Sequence, residues 1–297
     1  MIDRIKIFFK KNMPYEIKYF LKRKKRQLFT NNSKILSLTQ FENILKNHLK
    51  ITKGSTVLVH SSFGSLRAKF SPLDAIKLLK EIITPEGNIL MPYYPKKAAI
   101  TWLSENNIFD FKNTRSSMGI LANTFMQSDS VRLSPHPIKS LAVWGKDREW
   151  LIKDHYKSLL PFDRSSPYFK LINLPNSKSI GLGIERMTFI HSCEDTLLED
   201  VIEKYYCSKC FIGRVKVESG LIENVKTYVH SPEKMEKKDL SEKFLKDINC
   251  PYYHMFQVNN IVFYEAPIKE TYNFLKDFWG TRHSEYEFEK RNGRLTN

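Results

Sequence analysis

No apolar run in this chain approaches the ~18 residues of a membrane span. The apolar patch near the start, Ile7-Phe8-Phe9, is too short for a signal-peptide core. Cysteine is scarce: four in 297 residues, one of them far from the rest, which makes no disulfide framework. Together these absences place the chain in the cytoplasm as an expectation. There is no internal repeat and no long low-complexity segment. No GxSxG elbow is present, which disfavours a Ser/His hydrolase built on Ser61 or Ser62.

What is present is a globular composition, 41% hydrophobic with 20 Phe and 14 Tyr, long enough to bury a substantial core as one large domain or two small ones. The net charge is +16 and uneven: residues 1–30 hold ten Lys/Arg and two acids, half of the surplus. The domain reading is therefore a basic arm, residues 1–32, followed by an α/β domain, residues 33–297. In the arm Ile2, Ile5, Phe8 and Phe9 recur at helical spacing, and Ile17, Phe20 and Leu21 follow Pro14. Such an amphipathic helix can rest on an anionic membrane surface through residues 1–28. The plainer alternative is a helix packed on the body of the protein or on a partner subunit, with a solvated charged face. Nucleic acid is disfavoured, because the basic residues pile up in the arm instead of interleaving with aromatics over a face.

Ser33–Ser37 reads as a linker, and Thr39-Gln40-Phe41-Glu42 as a capping box opening a helix. Thr56–Val59 is a buried strand, Ser71-Pro72-Leu73-Asp74 a second helix start, and Asn88–Met91 a second strand. Strand, helix, strand is a βαβ unit, so the predicted class is α/β: a layered sheet with helices on both faces. Further strands are expected at Ser140–Trp144 and Ser179–Gly183, and a β-like pattern over Gly213–Val229 around a Ser219-Gly220 turn. Residues 230–250 read as surface helix and loop. Ligands in such sheets gather in the loops at the carboxyl ends of strands, where residues 60–70 fall.

Four stretches carry chemistry. His60-Ser61-Ser62 follows a strand, where loop amides can hold phosphate or make a plain turn. Ser116, Ser117 and Gly119 mark a helix start. His136 lies between Pro135 and Pro137, which fixes the backbone of an imidazole suited to acid–base work or to a backbone bond. Gly181-Leu182-Gly183 ends a strand, Thr188 can cap the next helix, and His191 and Glu194 are three apart, on one helical face.

In order and spacing these stretches resemble the antibiotic acetyltransferase family, whose best-known members are the aminoglycoside 3-N-acetyltransferases. The matching elements are His60-Ser61-Ser62; Thr114, Ser116, Met118, Gly119 and Leu121; Arg132, His136, Pro137, Ser140, Ala142 and Gly145; then Ser166-Pro167; and Gly181, Gly183, Thr188, His191 and Glu194. The resemblance covers roughly residues 38–270 and implies acetyl transfer from acetyl-CoA to an amine. It makes His136, His191 and Glu194 the acid–base cluster, with the general base whichever histidine lies within hydrogen-bond reach of Glu194. It turns His60, Ser61, Ser62, Ser116, Met118 and Gly119 toward CoA, and Glu185 and Asp195 toward the acceptor. The family's usual proline after the threonine is Arg115 here, and its usual Phe-Gly before the Ser-Pro is Phe162-Asp163. The strongly basic chain favours an amino-sugar acceptor that carries negative charge, nucleotide- or lipid-linked in surface glycan synthesis, with an aminoglycoside-modifying resistance enzyme as the alternative. A member without catalysis, acting as a scaffold, is disfavoured by the retained His136, His191 and Glu194.

Cys207-Ser208-Lys209-Cys210, Cys250 and His254 form a competing constellation, a candidate tetrahedral structural zinc set. With the basic arm it supports a rival from another class, a zinc-containing nucleic-acid-binding protein.

Overall fold

Helix Leu38–Asn43 opens on a capping box made by Ser37 and Gln40, two residues before the Thr39 box expected from the sequence. Leu36 is fully buried and bridges Ala68, which anchors the chain just before the cap where a linker was expected, while Ile35 beside it stays exposed. The computed structural model describes residues 35–111, 113–217, 219–236 and 241–282; the basic arm and residues 33–34 lie outside them.

The chain continues through a wider helical turn, Ile44–His48, into strand β1 (Thr56–Ser61). Helix Pro72–Ile83 follows, with Ser71 and Asp74 capping reciprocally and Pro72 at its first position, where no amide is needed. It leads to β2 (Asn88–Tyr93), parallel to β1. The βαβ unit is therefore present where the sequence placed it. Beyond it come β3 (Ile108–Asp110), β4 (Arg132–Leu133), β5 (Ser140–Gly145), β6 (Ser177–Leu182), β7 (Phe211–Lys216), β8 (Ile222–Thr227), β9 (His254–Val258) and β10 (Ile261–Pro267).

Seven strands form one mixed sheet in the order β4-β5-β2-β1-β6-β10-β9. Its centre, β2-β1-β6, is parallel, and the strands outside it pair antiparallel. A smaller sheet, β3-β7-β8, stands apart. Alternation along β1 sends Val57 and Val59 into one core and Leu58 into the other. The first core is closed by helices Leu38–Asn43, Pro72–Ile83 and Ile120–Met126, the second by Pro167–Lys170, Phe189–Leu197 and Ile268–Arg282. Helices thus cover both faces, as the α/β class requires.

Residues 241–247 differ from the surface helix expected there. Phe244 and Leu245 are buried, and the Phe244 ring stacks on Trp279 at 6.0 Å.

Candidate active site

Two glycines shape the end of β6. A Cβ on Gly181 would lie in the ring of Tyr264, and Gly183 sits at φ +71°, the left-handed region that favours glycine. In register, Gly181 faces His60 of β1 and Tyr264 of β10. His60 is consequently enclosed. Its Nδ1 is 3.0 Å from the Tyr264 hydroxyl, which donates onward to the Arg186 carbonyl. Its Nε2 accepts the Thr188 amide at 3.1 Å and lies 2.6 Å from the Thr188 hydroxyl. Burial drives the His60 pKa down to about 3, so the ring is a neutral tie between β1, β10 and the following helix. Thr188 stands at the N-cap of that helix as expected, but its hydroxyl is turned to His60 and makes no cap bond.

Helix Phe189–Leu197 then presents two pairs of polar side chains. His191 Nδ1 meets Glu194 Oε2 at 2.8 Å; the carboxylate is 1% exposed and the imidazole 21%. The neighbouring Ser192 and Asp195 grip Phe162: the Ser192 hydroxyl donates to its carbonyl at 2.8 Å, and Asp195 accepts its amide at 3.1 Å. Phe162 in turn packs at 5.2 Å from the His191 ring. The Asp163 that departs from the family's glycine orders this loop, accepting from the Ser158 hydroxyl and the amides of Leu159, Leu160 and Ser165.

It is His191, and not His136, that meets Glu194. His136 is fully buried, its Nδ1 accepting the amides of Ile138 and Lys139 and its Nε2 facing the Thr227 hydroxyl at 3.3 Å. Its ring stacks on His155 at 4.6 Å, and burial first, then the neighbouring His155 and Lys139, hold it well below the ordinary histidine pKa. Asp195 is also engaged inside the fold, with the Tyr206 hydroxyl 2.7 and 2.8 Å from its two oxygens. Glu185 faces Lys246 at 3.7 Å.

The segments expected to face CoA come together at the carboxyl ends of β1 and β2. Ser116 bridges Pro95, just beyond β2, and its hydroxyl accepts the amides of Tyr94 and Met118. Gly119, at φ +93°, precedes the helix Ile120–Met126. Ser62 bonds Ser65 at 2.8 Å, while the Ser61 hydroxyl is buried with no partner. That orphaned hydroxyl fits a ligand-binding strand end. The His60 ring does not, since both its nitrogens are already engaged.

Sequence reasoning missed three residues here. His230, between β8 and the helix Pro232–Glu236, lies 4.9 Å from the His191 ring, and the Tyr94 and Tyr168 hydroxyls meet at 2.7 Å. Phe162 is the Phe of the family's Phe-Gly position and Tyr168 directly follows Ser166-Pro167, whereas no local signal marks His230. A cavity of about 530 Å³, lined by Phe109, Arg132, Trp150 and Lys216 among others, opens elsewhere. None of His60, His136, His191 and Glu194 lines it, so volume alone does not mark the chemistry.

The zinc set does not assemble. Among the described residues no group of three or more His, Cys, Asp or Glu is placed to hold a metal ion. Cys207 and Cys210 lead into β7 of the small sheet, whereas His254 lies on β9 at the edge of the large one. The zinc-containing nucleic-acid reading loses its support with it.

The chain belongs to the aminoglycoside 3-N-acetyltransferase family, whose sequence profile matches residues 58–276. It is 29% identical over 152 residues to aminoglycoside N(3)-acetyltransferase IV of Salmonella sp, across 50% of this chain and 54% of that protein. It is 29% identical over 125 residues to the SPbeta prophage-derived aminoglycoside N(3')-acetyltransferase-like protein YokD of Bacillus subtilis (strain 168), across 36% of this chain and 46% of that one. The matches thus span about half the length of these curated relatives. Among solved structures, aminoglycoside acetyltransferase AAC(3)-Xa superposes with a TM-score of 0.69 at 16% identity, covering 87% of this chain and 97% of that one. The AAC-IIIb binary complex with CoASH gives 0.65 at 18%, covering 87% and 98%. Sisomicin-bound AAC-VIa gives 0.67 at 17%, covering 84% and 100%. At these identities the likeness is one of fold.

Proposed function

We propose that this protein transfers the acetyl group of acetyl-CoA to an amine of an amino sugar, with His191 as general base and Glu194 as its orienting carboxylate. The observation that carries the reading is the 2.8 Å contact between His191 Nδ1 and the buried Glu194 carboxylate. With Nδ1–H donating to Glu194, the ring's lone pair is on Nε2, the atom that would take the proton from the attacking amine. The carboxylate then stabilises the imidazolium that forms. Ser61, Ser62 and the Ser116–Gly119 loop, gathered at the strand ends, would hold the acyl donor.

The named relatives are aminoglycoside acetyltransferases, which favours an aminoglycoside acceptor over the nucleotide- or lipid-linked amino sugar that the net charge suggested. Half of that charge lies in the arm, away from the family match, so it argues little about the cleft. For residues 1–28 we propose contact with an anionic membrane surface; deletion that leaves binding to anionic vesicles unchanged removes the idea.

The experiment is release of free thiol from acetyl-CoA with a panel of aminoglycosides and amino-sugar nucleotides. Release with aminoglycosides, lost in His191→Ala and Glu194→Gln, supports the reading. Release with amino-sugar nucleotides alone reverses the choice of acceptor.

A further inference from the structure

Lys139 is the cation near the site that the steps above leave unused. It immediately precedes β5, and its Nζ stands 4.4 Å from the centre of the Tyr94 ring and 5.9 Å from that of Phe162. Both rings have defined neighbours. Tyr94 donates its amide to Ser116 and accepts the Ser117 amide, so it belongs to the loop assigned to the acyl donor. Phe162 lies against His191. The ammonium is thus flanked by one ring from the loop assigned to the acyl donor and one ring that packs on the proposed base.

No carboxylate meets Lys139 among the described residues; its one polar bond is from its backbone amide to His136. Burial keeps His136 and His155 unprotonated, and it holds the Tyr94 and Tyr168 phenols protonated. Burial also lowers Lys139 to about 8, which leaves it an ammonium at neutral pH. Two aromatic faces replace part of its lost hydration. A half-buried cation without a counter-ion still gains when negative charge arrives beside it.

We propose that Lys139 is the partner for negative charge developing on the acyl donor, first on the carbonyl oxygen and then on the departing sulfur. This rests on the N-acetyltransferase reading. The amine lone pair forms the C–N bond while the C=O π pair moves onto oxygen, and the amine proton passes to His191. When the carbonyl re-forms, the C–S bond breaks and its electron pair leaves on sulfur. The proton held by His191 balances the thiolate, and the products are the amide and the CoA thiol. Lys139 stays protonated throughout and acts through its charge in a site of low dielectric.

The test needs no acceptor. CoA is bound to the wild type, Lys139→Met, Lys139→Gln and Lys139→Arg; its affinity is measured by calorimetry and the ionisation of its thiol by thiolate absorbance. The thiol should ionise about one pH unit lower on the wild type than on the Met and Gln variants, a tenfold change in acidity, with Arg retaining most of the effect. With acetyl-CoA and an active acceptor, kcat should fall about tenfold or more in the uncharged variants at nearly constant KM for acetyl-CoA. Equal thiol acidity on proteins that all bind CoA overturns the role of Lys139 and leaves the transfer reading standing. Failure of the wild type to bind CoA overturns both.

Discussion

Asp195 reaches from the helix Phe189–Leu197 to the amide of Phe162, 33 residues earlier in the chain, at 3.1 Å. The acid expected to meet the acceptor instead fixes the ring that packs on His191. Asp195→Ala should lose about 1–3 kcal/mol of stability, because the Phe162 amide is left buried without an acceptor. Asp195→Asn, which keeps one oxygen, should lose less. Urea unfolding measures both. A raised acceptor KM at unchanged stability would return Asp195 to the substrate.

His191→Ala should lower kcat/KM about 10²–10⁴-fold with little change in the unfolding midpoint, the ordinary size of a lost general base. His136→Ala should behave in the opposite way. It removes a fully buried ring and strands the Ile138 and Lys139 amides, costing about 2–4 kcal/mol of stability. Kinetics and thermal unfolding on the same preparations separate the two histidines.

Stability should fall on mild acidification. His60 and His155 are held near 3 by burial, and His136 well below its ordinary value, whereas each titrates near 6.5 once unfolded. Their contribution is complete above the unfolded pKa and is lost as pH falls from about 6.5 toward 3. From pH 7 to pH 5 each could cost up to about 2 kcal/mol. Asp195, whose carboxyl burial pushes upward, works with the opposite sign and reduces the net slope. Urea midpoints at the two pH values test this, measured also on Asp195→Asn to remove the opposing carboxyl; equal midpoints in that variant would mean that these rings titrate in the fold as they do unfolded.

Cys207→Ser and Cys210→Ser, at half-buried positions outside both main cores, should each change stability by no more than about 1 kcal/mol. Protein purified without chelator should carry no stoichiometric zinc. One zinc per chain, lost in either variant, would restore the metal reading.

The β1–helix–β2 unit was legible because its signals are local: an apolar strand, a Ser-Pro-x-Asp cap and a turn, all within 38 residues. The His191–Glu194 pair was legible for the same reason, since three residues apart on a helix means one face. The partners of His60 were not. Thr188 and Tyr264 are 128 and 204 residues away, and only the register of β1, β6 and β10 brings them together. Thr188 holds the N-cap position expected of a threonine before a helix, but its hydroxyl goes to the distant His60. The bond from Asp195 to Phe162 was not legible either, because nothing near Asp195 in the chain reports that distant amide.

The antiparallel flank beyond β6 has a consequence for anyone shortening this chain. β10 covers β6 on one side, and β9 covers β10. A chain cut after Asn249 would lose both, and β6 would become an outer strand. Its Ile180, Gly181 and Leu182, now buried, would offer an unpaired row of amides and carbonyls to the same strand of another molecule. Such a fragment would keep the His191–Glu194 helix and nearly all of the family's motifs, yet aggregate edge to edge.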